Sequence, residues 1–360
     1  MQFAPLHSWL EYDSAPALIA GPCGAESHEQ VFATAAQLSA LKRVSLFRAG
    51  VWKPRTRPNS FEGKGEEALV WLKEMKSQFG LPATVEVANA QHTELALKYG
   101  VDVLWIGARS TVNPFSVQEI ADALKGVDIP VMVKNPVHAD LQLWVGAIER
   151  IYNSGINKIA AVHRGFHYYG KTKYRNKPLW QMPIELRTLF PDLPIICDPS
   201  HISGNTSLIY SVSQKALDLG MSGLMIESHY DPASALSDAQ QQLTPQQLGE
   251  MLSRLILRKE NTNDSFLLDK LQQLRSMIDE IDDELINVLK KRSQVVEQIG
   301  QYKKEHNITI FQLERWQEIL RTRAQWAERA GVSRNHIEKI CQLLHEESIR
   351  IQNDVMNNKF

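Results

Sequence analysis

Val44-Ser-Leu-Phe-Arg-Ala-Gly-Val-Trp-Lys-Pro-Arg-Thr56 opens on a short apolar run and ends on cations. Residues 44–47 are too few and too apolar for a half-exposed strand, so they read as a buried parallel one. Gly50 breaks the run. Arg48, Lys53 and Arg55 follow, with Pro54 stiffening the backbone between the last two. Cations on a stiff loop after a strand suit a phosphate or carboxylate. Taken alone, three such residues describe a solvated basic loop equally well.

The same unit recurs on both sides. Short apolar runs lie at residues 17–20, 44–47, 83–87, 103–106, 131–133, 158–162, 195–197 and 224–226. Helical periodicity fills the gaps, at 29–42, 66–79, 91–99, 116–124, 141–154, 184–190 and 207–219. Strand alternating with helix implies right-handed βαβ units, and eight of them in roughly 250 residues fit an α/β fold of (β/α)8 TIM-barrel type. An open doubly wound sheet is the alternative, and no Gly-rich dinucleotide fingerprint favours it.

The character changes after Thr244. Pro245 opens a helix that closes the barrel near Lys259, and residues 261–265 form a polar linker. No strand follows. Residues 267–304 read as one helix carrying Leu267, Leu271, Leu274, Ile278, Ile281, Leu285, Val288, Val295 and Ile299. At ~1.5 Å per residue it would span roughly 57 Å, too long for a domain this small unless a partner chain covers it. Helices at 312–330 and 334–353, separated at Gly331, complete an all-α three-helix domain. The expected division is 1–260 for the barrel, 261–265 for the linker and 266–360 for the helical domain.

Composition excludes several functions. Apolar residues make up 43%, charged residues 22%, and net charge is −1, so a general nucleic-acid binder is not expected. Cys23, Cys197 and Cys341 are too few and too scattered for a disulfide framework. Met1-Gln-Phe-Ala-Pro-Leu-His lacks the basic and long apolar regions of a secretory leader, and no apolar run nears the ~20 residues of a membrane span, so the expected location is the cytoplasm.

In a TIM barrel the reactive groups sit at the C-terminal ends of the strands. Reading what stands there gives Cys23; Arg48, Lys53 and Arg55; Glu86; Arg109; Lys134; Arg164; Asp198 and His201; and Glu227, with Asp238 eleven residues on. Six cations on one rim repel each other unless anions neutralise them, so the expected ligand is highly anionic. Cys23, His201, Glu227 and Asp238 offer a thiolate, an imidazole and two carboxylates, a set that suits a divalent first-row metal of the Mn, Fe, Co or Zn class.

These residues fall in ordered motifs. Gly21-Pro-Cys23, Lys53-Pro-Arg-Thr56, Ile106-Gly-Ala-Arg109, Lys134-Asn-Pro136, His163-Arg164-Gly165, Asp198-Pro-Ser-His201 and Leu236-Ser-Asp238 resemble the type I beta 3-deoxy-D-arabino-heptulosonate 7-phosphate (DAHP) synthases. The resemblance spans about residues 15–258. It implies condensation of phosphoenolpyruvate with erythrose 4-phosphate. Cys23, His201, Glu227 and Asp238 would hold the metal. Arg48, Lys53, Arg109, Lys134 and Arg164 would hold phosphoenolpyruvate, with Lys134 as proton donor. Arg55 and Thr56 would hold the aldose phosphate, and Glu86 and Asp198 complete the substrate-facing set. The sister enzyme using arabinose 5-phosphate, 3-deoxy-octulosonate 8-phosphate synthase, shares the barrel but carries Lys-Ala-Asn-Arg in place of Lys-Pro-Arg-Thr. Relatives of the type I beta branch often have an N-terminal regulatory domain. The few residues before the first strand leave no room for one, so feedback control is expected from elsewhere.

Arg292 sits inside an apolar stripe between Leu289 and Val295, where an unpaired cation is costly and an anionic partner is expected. Arg292 and Lys303 share one helix face, while Arg275 points about 100° away, toward a partner chain's pocket. Over about residues 265–355 this pattern resembles the all-helical chorismate mutases, which are intertwined dimers. The resemblance implies that Arg292 and the other chain's Arg275 bind the carboxylates of chorismate. Lys303 and Gln352 would serve its ether oxygen, and Gln312, Arg315 and Ser348 would line the site. Gln312 and Trp316 stand where the family commonly has acids. The other reading of this tail is a dimerisation or ligand-sensing module only; beside mutase activity, the domain is expected to sense chorismate or prephenate and inhibit the barrel. A homodimer through the helical domain, or a higher oligomer, is expected.

Overall fold

The computed structural model describes residues 1–12, 16–54, 60–259 and 264–357. The chain divides into two compact units, Met1–Glu260 and Asn261–Phe360.

The first unit is a closed parallel barrel of eight strands in chain order. They are β1 (Ala17–Gly21), β2 (Leu46–Arg48), β3 (Ala83–Val87), β4 (Val103–Ile106), β5 (Val131–Lys134), β6 (Ile159–His163), β7 (Ile195–Cys197) and β8 (Gly223–Glu227). β8 pairs with β1 in parallel from Ala17 opposite Gly223 to Gly21 opposite Glu227, which closes the ring. The connecting helices are α1 (His28–Ala40), α2 (Glu66–Phe79), α3 (Ala90–Lys98), α4 (Ala108–Thr111), α5 (Pro114–Ala123), α6 (Leu141–Asn153), α7 (Gln181–Leu189), α8 (Pro199–Ser203), α9 (Ile209–Asp218) and α10 (Pro245–Ser253). Several start on side-chain caps. Ser27, Asn89, Asp140 and Asp198 each accept a backbone N–H of the first turn. Thr244 and Gln247 form a reciprocal capping box at α10.

Strand alternation sorts the core into two layers. Ile19, Leu46, Trp105, Met132, Ala160, Val162, Ile196 and Met225 fill the barrel, joined by Leu6 and Leu10 of the N-terminal segment. Leu18, Phe47, Val85, Ile106, Val133, Ala161, Cys197 and Ile226 pack outward against the helices. Five strands, β1, β2, β5, β6 and β8, end one residue later than the apolar runs suggest, so Arg48, His163 and Glu227 are the last residues of β2, β6 and β8. The period of two then decides their fates. Arg48 and Glu227 share the inward parity of Leu46 and Met225. His163 shares the outward parity of Ala161 and packs with Trp144, Phe166 and Trp180.

The second unit is all α: α11 (Ser265–Glu305), α12 (Leu313–Arg329) and α13 (Arg334–Met356). Asp264 is the N-cap of α11, accepting from Phe266 and Leu267 N–H, so Ser265, expected in the linker, already belongs to the helix. α11 runs 41 residues, about 61 Å at the usual rise. Its apolar residues Leu267, Leu271, Leu274, Ile278, Ile281, Leu285, Val288, Val295 and Ile299 are all exposed.

Candidate functional site

At the C-terminal mouth of the barrel, inward parity places cations and carboxylates in one buried network. Arg48 Nη2 lies 3.0 Å from Glu227 Oε1, and its Nη1 lies 3.9 Å from Asp198 Oδ2. Lys134 Nζ is 2.9 Å from the same Asp198 oxygen, and His201 Nδ1 is 2.8 Å from it. Burial alone would push Asp198 up, but His201, Lys134 and Arg48 outweigh it and hold the carboxyl well below its usual range. Burial keeps the His201 imidazole below its ordinary value despite Asp198 and Glu227. Arg48 and Lys134 both lie over the Trp105 ring, 5.3 and 5.6 Å from its centroid. Nε and Nη1 of Arg48 are buried without a hydrogen-bond partner among the described residues. A desolvated guanidinium with spare donors is suited to a further anion.

Beside this network, ligand atoms of Cys23, Glu227 and Asp238 lie within 4.8 Å of one another. Cys23 Sγ is 3.4 Å from Asp238 Oδ2 and 2.6 Å from Lys53 Nζ. His201 stands outside that three-residue group, yet its Nε2 is 3.7 Å from Glu227 Oε1. With Nδ1 turned to Asp198, Nε2 is the nitrogen left for a ligand. Burial and Glu227 push the Cys23 thiol up to about 12, with Lys53 opposing. A thiol and two carboxylates gathered so closely become compatible as anions once a cation joins them, so the donor set fits a divalent metal.

Above the network opens a cavity of about 300 Å³ whose lining includes Lys53, Glu86, Arg109, Lys134, Arg164, Arg175, His201 and Asp238. Burial, with Arg175 and Arg109 nearby, lowers Arg164 to about 10 although Asp198 opposes it. Three guanidiniums around one polar cavity favour a phosphate or carboxylate ligand. Glu86 accepts from Trp105 Nε1 at 3.0 Å. Its Oε1 would lie 2.0 Å from a Cβ at position 107, so any side chain there would displace the Glu86 carboxylate. Arg55 and Thr56 lie outside the described residues. Sequence reading overlooked Arg175, Gln241, Ser200 and Trp105. Gln241 Nε2 donates to Glu227 Oε2 at 2.7 Å, and Ser200 Oγ accepts the Glu227 N–H at 2.9 Å. The available signal was adjacency, since Ser200 precedes His201 and Gln241 follows Asp238 by three residues.

The helical unit holds a second cavity, about 580 Å³, lined by Arg292, Lys303, Gln312, Arg315, Ser348 and Gln352 together with Trp316, Arg323 and His345. Four of its lining residues are Lys or Arg and none is Asp or Glu. Arg292 Nη1 donates to Ser348 Oγ at 2.9 Å, and Lys303 Nζ donates to the Ile310 carbonyl at 2.6 Å. Burial lowers both cations' affinity for protons. Gln312 is the N-cap of α12 without a side-chain cap bond. Gln352 donates to the Ser348 carbonyl while its Oε1 is buried without a partner. Arg315 pairs with Glu318 at 2.7 Å. Trp316 stacks on His345 with ring centroids 4.1 Å apart. Arg275 is exposed and does not line this cavity; it lies seventeen residues, about 26 Å, from Arg292 along α11.

A closed barrel that buries ion pairs at its mouth beneath a guanidinium-lined cavity defines a (β/α)8 enzyme for small, multiply anionic substrates. Residues 11–263 match the DAHP synthetase I family, and residues 274–353 match chorismate mutase type II. A phospho-2-dehydro-3-deoxyheptonate aldolase from Thermotoga maritima is 32% identical over 238 residues, 66% of this chain and 68% of its own. Its crystal structure superimposes with a TM-score of 0.59 at 31% identity, covering 66% of this chain and 67% of that one. A 2-dehydro-3-deoxyphosphooctonate aldolase from Wolinella succinogenes is 27% identical over 271 residues, 68% of this chain and 99% of its own. The chain belongs to the DAHP synthetase I family, here fused to a chorismate mutase domain. Among the described residues no helix is long and apolar enough to cross a membrane.

Proposed function

We propose that the barrel condenses phosphoenolpyruvate with erythrose 4-phosphate, releasing phosphate, and that the helical unit rearranges chorismate to prephenate. For the barrel, the observation that carries the reading is the buried network of Arg48, Lys134, Asp198 and Glu227 beneath the cavity lined by Arg109 and Arg164. Arg48, Lys53, Arg109, Lys134 and Arg164 hold the phosphate and carboxylate of phosphoenolpyruvate, and Arg55 and Thr56 hold the aldose phosphate. Cys23, His201, Glu227 and Asp238 hold a divalent cation of the Mn, Fe, Co or Zn class, which supplies Lewis acidity toward the aldehyde when bound. The methylene carbon of phosphoenolpyruvate forms the new bond to the aldehyde carbon. Water adds at C2, and the phosphate departs with the C–O bond electrons. Lys134, oriented by Asp198, donates the proton. The family match favours this substrate pair over arabinose 5-phosphate.

In the helical unit, Arg292 binds one chorismate carboxylate and the partner subunit's Arg275 the other. Lys303 and Gln352 stabilise the charge that develops on the ether oxygen, with no nucleophile involved. The exposed apolar stripe of α11 supports a homodimer through that helix, which the partner subunit's contribution requires. The fusion itself supports control of the barrel by chorismate or prephenate bound in the helical unit. The whole reading is tested on one purified preparation by following phosphate release from phosphoenolpyruvate plus erythrose 4-phosphate, then chorismate loss. Absence of either turnover removes the corresponding half.

A further inference from the structure

The segment after β6 turns back on itself, with Phe166 and Lys177 bonded N–H to carbonyl in both directions at 2.9 and 2.8 Å. Its returning limb lies on α8, the helix that carries His201. Arg175 N–H donates to Ser203 O, Asn176 N–H to Ile202 O, and Asn176 Nδ2 to the His201 carbonyl at 2.7 Å. A Cβ at Gly204 would come within 2.4 Å of Arg175 Cβ, so the limb sits close against the end of that helix.

From this anchored base the Arg175 side chain crosses to the segment after β8. Its Nη1 donates to Asp238 Oδ1 at 3.0 Å and to Gln241 Oε1 at 2.7 Å. Gln241 in turn donates Nε2 to Glu227 Oε2 at 2.7 Å. Each of the two carboxylates therefore has one oxygen engaged from the Arg175 side. Asp238 keeps Oδ2 toward Cys23 Sγ, 3.4 Å away, and Glu227 Oε1 takes Arg48 Nη2 at 3.0 Å and faces His201 Nε2, 3.7 Å away. The Arg175 bond to Oδ1 fixes which way the Asp238 carboxylate turns.

We propose that Arg175 is a positioning residue for the cation site, acting directly on Asp238 and through Gln241 on Glu227. The inference rests on the metal reading of Cys23, His201, Glu227 and Asp238. Outer-shell partners of this kind orient ligands, and their loss weakens metal binding by roughly 10- to 100-fold. Both bonds leave one nitrogen, Nη1, which the planar guanidinium holds between the two acceptors, a placement that a lysine ammonium on a flexible stem reproduces less well.

The test is a titration of the chelator-stripped, full-length protein with Mn2+ alone, reading free Mn2+ by electron paramagnetic resonance. Thermal unfolding is recorded on the same samples to confirm folding. Arg175→Ala is expected to raise the Mn2+ Kd by about 10-fold or more, with Arg175→Lys in between. Cys23→Ala abolishes tight binding in the same assay. Binding by folded Arg175→Ala, or by Arg175→Lys should the first variant not fold, within twofold of the parent overturns the role of Arg175 while Cys23→Ala still fails. If Cys23→Ala also binds as the parent does, the metal reading itself falls, and the inference with it.

Discussion

Arg48 and Glu227 meet inside the barrel mouth, Nη2 to Oε1 at 3.0 Å, with side chains 2% and 0% exposed. They come from β2 and β8, the two neighbours of β1. A pair this buried is sustained by geometry and neighbours, and removing one partner leaves a charge stranded in low dielectric. Glu227→Ala should therefore destabilise the barrel by roughly 3–5 kcal/mol. Urea unfolding followed on the barrel's tryptophans, with chelator present in both samples, checks this. An unchanged midpoint would show that Arg48 finds another partner.

Lys134 shares its carboxylate, Asp198, with His201. As the proton donor it should be worth roughly 10²–10⁴ in turnover. Lys134→Ala should lose phosphate release on that scale while chorismate loss by the helical unit continues. Turnover within a few-fold of the parent would remove Lys134 from the chemistry.

His163 faces the opposite way. Burial lowers it to about 3, with Arg164 adding to the effect and Asp198 and a backbone carbonyl opposing it. The native imidazole is neutral, and the unfolded one titrates near 6.5, so between those values the unfolded state binds more protons. Its contribution to stability is present above the unfolded value and fades as pH falls toward 3. Between pH 7 and 4.5 that amounts to roughly 2 kcal/mol. His163→Gln should flatten this part of the stability-against-pH curve. Parallel curves for parent and variant would contradict it.

In the helical unit, Lys303 has its Nζ on the Ile310 carbonyl beside an otherwise cation-rich cavity. Lys303→Ala should lower chorismate turnover by roughly 10²–10³. Unchanged turnover would take Lys303 out of the site. No turnover in the parent would leave this unit as a binding module.

The exposed stripe of α11 predicts self-association. Sedimentation of the parent should give a dimer or a multiple of one, and a double substitution, Ile281→Glu with Leu285→Glu, should shift it to monomer. A monomeric parent would contradict the partner subunit's role.

The barrel was legible because buried parallel strands leave short apolar runs that helices must separate. Its charged residues were legible as a set, because they follow or end those runs. Their directions were less so. A run read as stopping at Phe47 hides that Arg48 is still in register and points inward, and one read as stopping at Val162 hides that His163 points out. Arg175 and Gln241 carry no periodic signal, and folding alone brings them to Asp238 and Glu227. Arg275 shows the opposite limit. Its distance from Arg292 follows from helix geometry, but within one chain it stands exposed, away from the cavity.

Aldose choice and the metal requirement meet in a single assay of the barrel. Phosphoenolpyruvate loss should be measured with erythrose 4-phosphate and with arabinose 5-phosphate, before and after chelation and again with Mn2+ restored. The expected result is consumption with the four-carbon sugar only, abolished by the chelator and recovered with Mn2+. Equal or faster turnover of arabinose 5-phosphate, or erythrose 4-phosphate turnover untouched by the chelator, would contradict it.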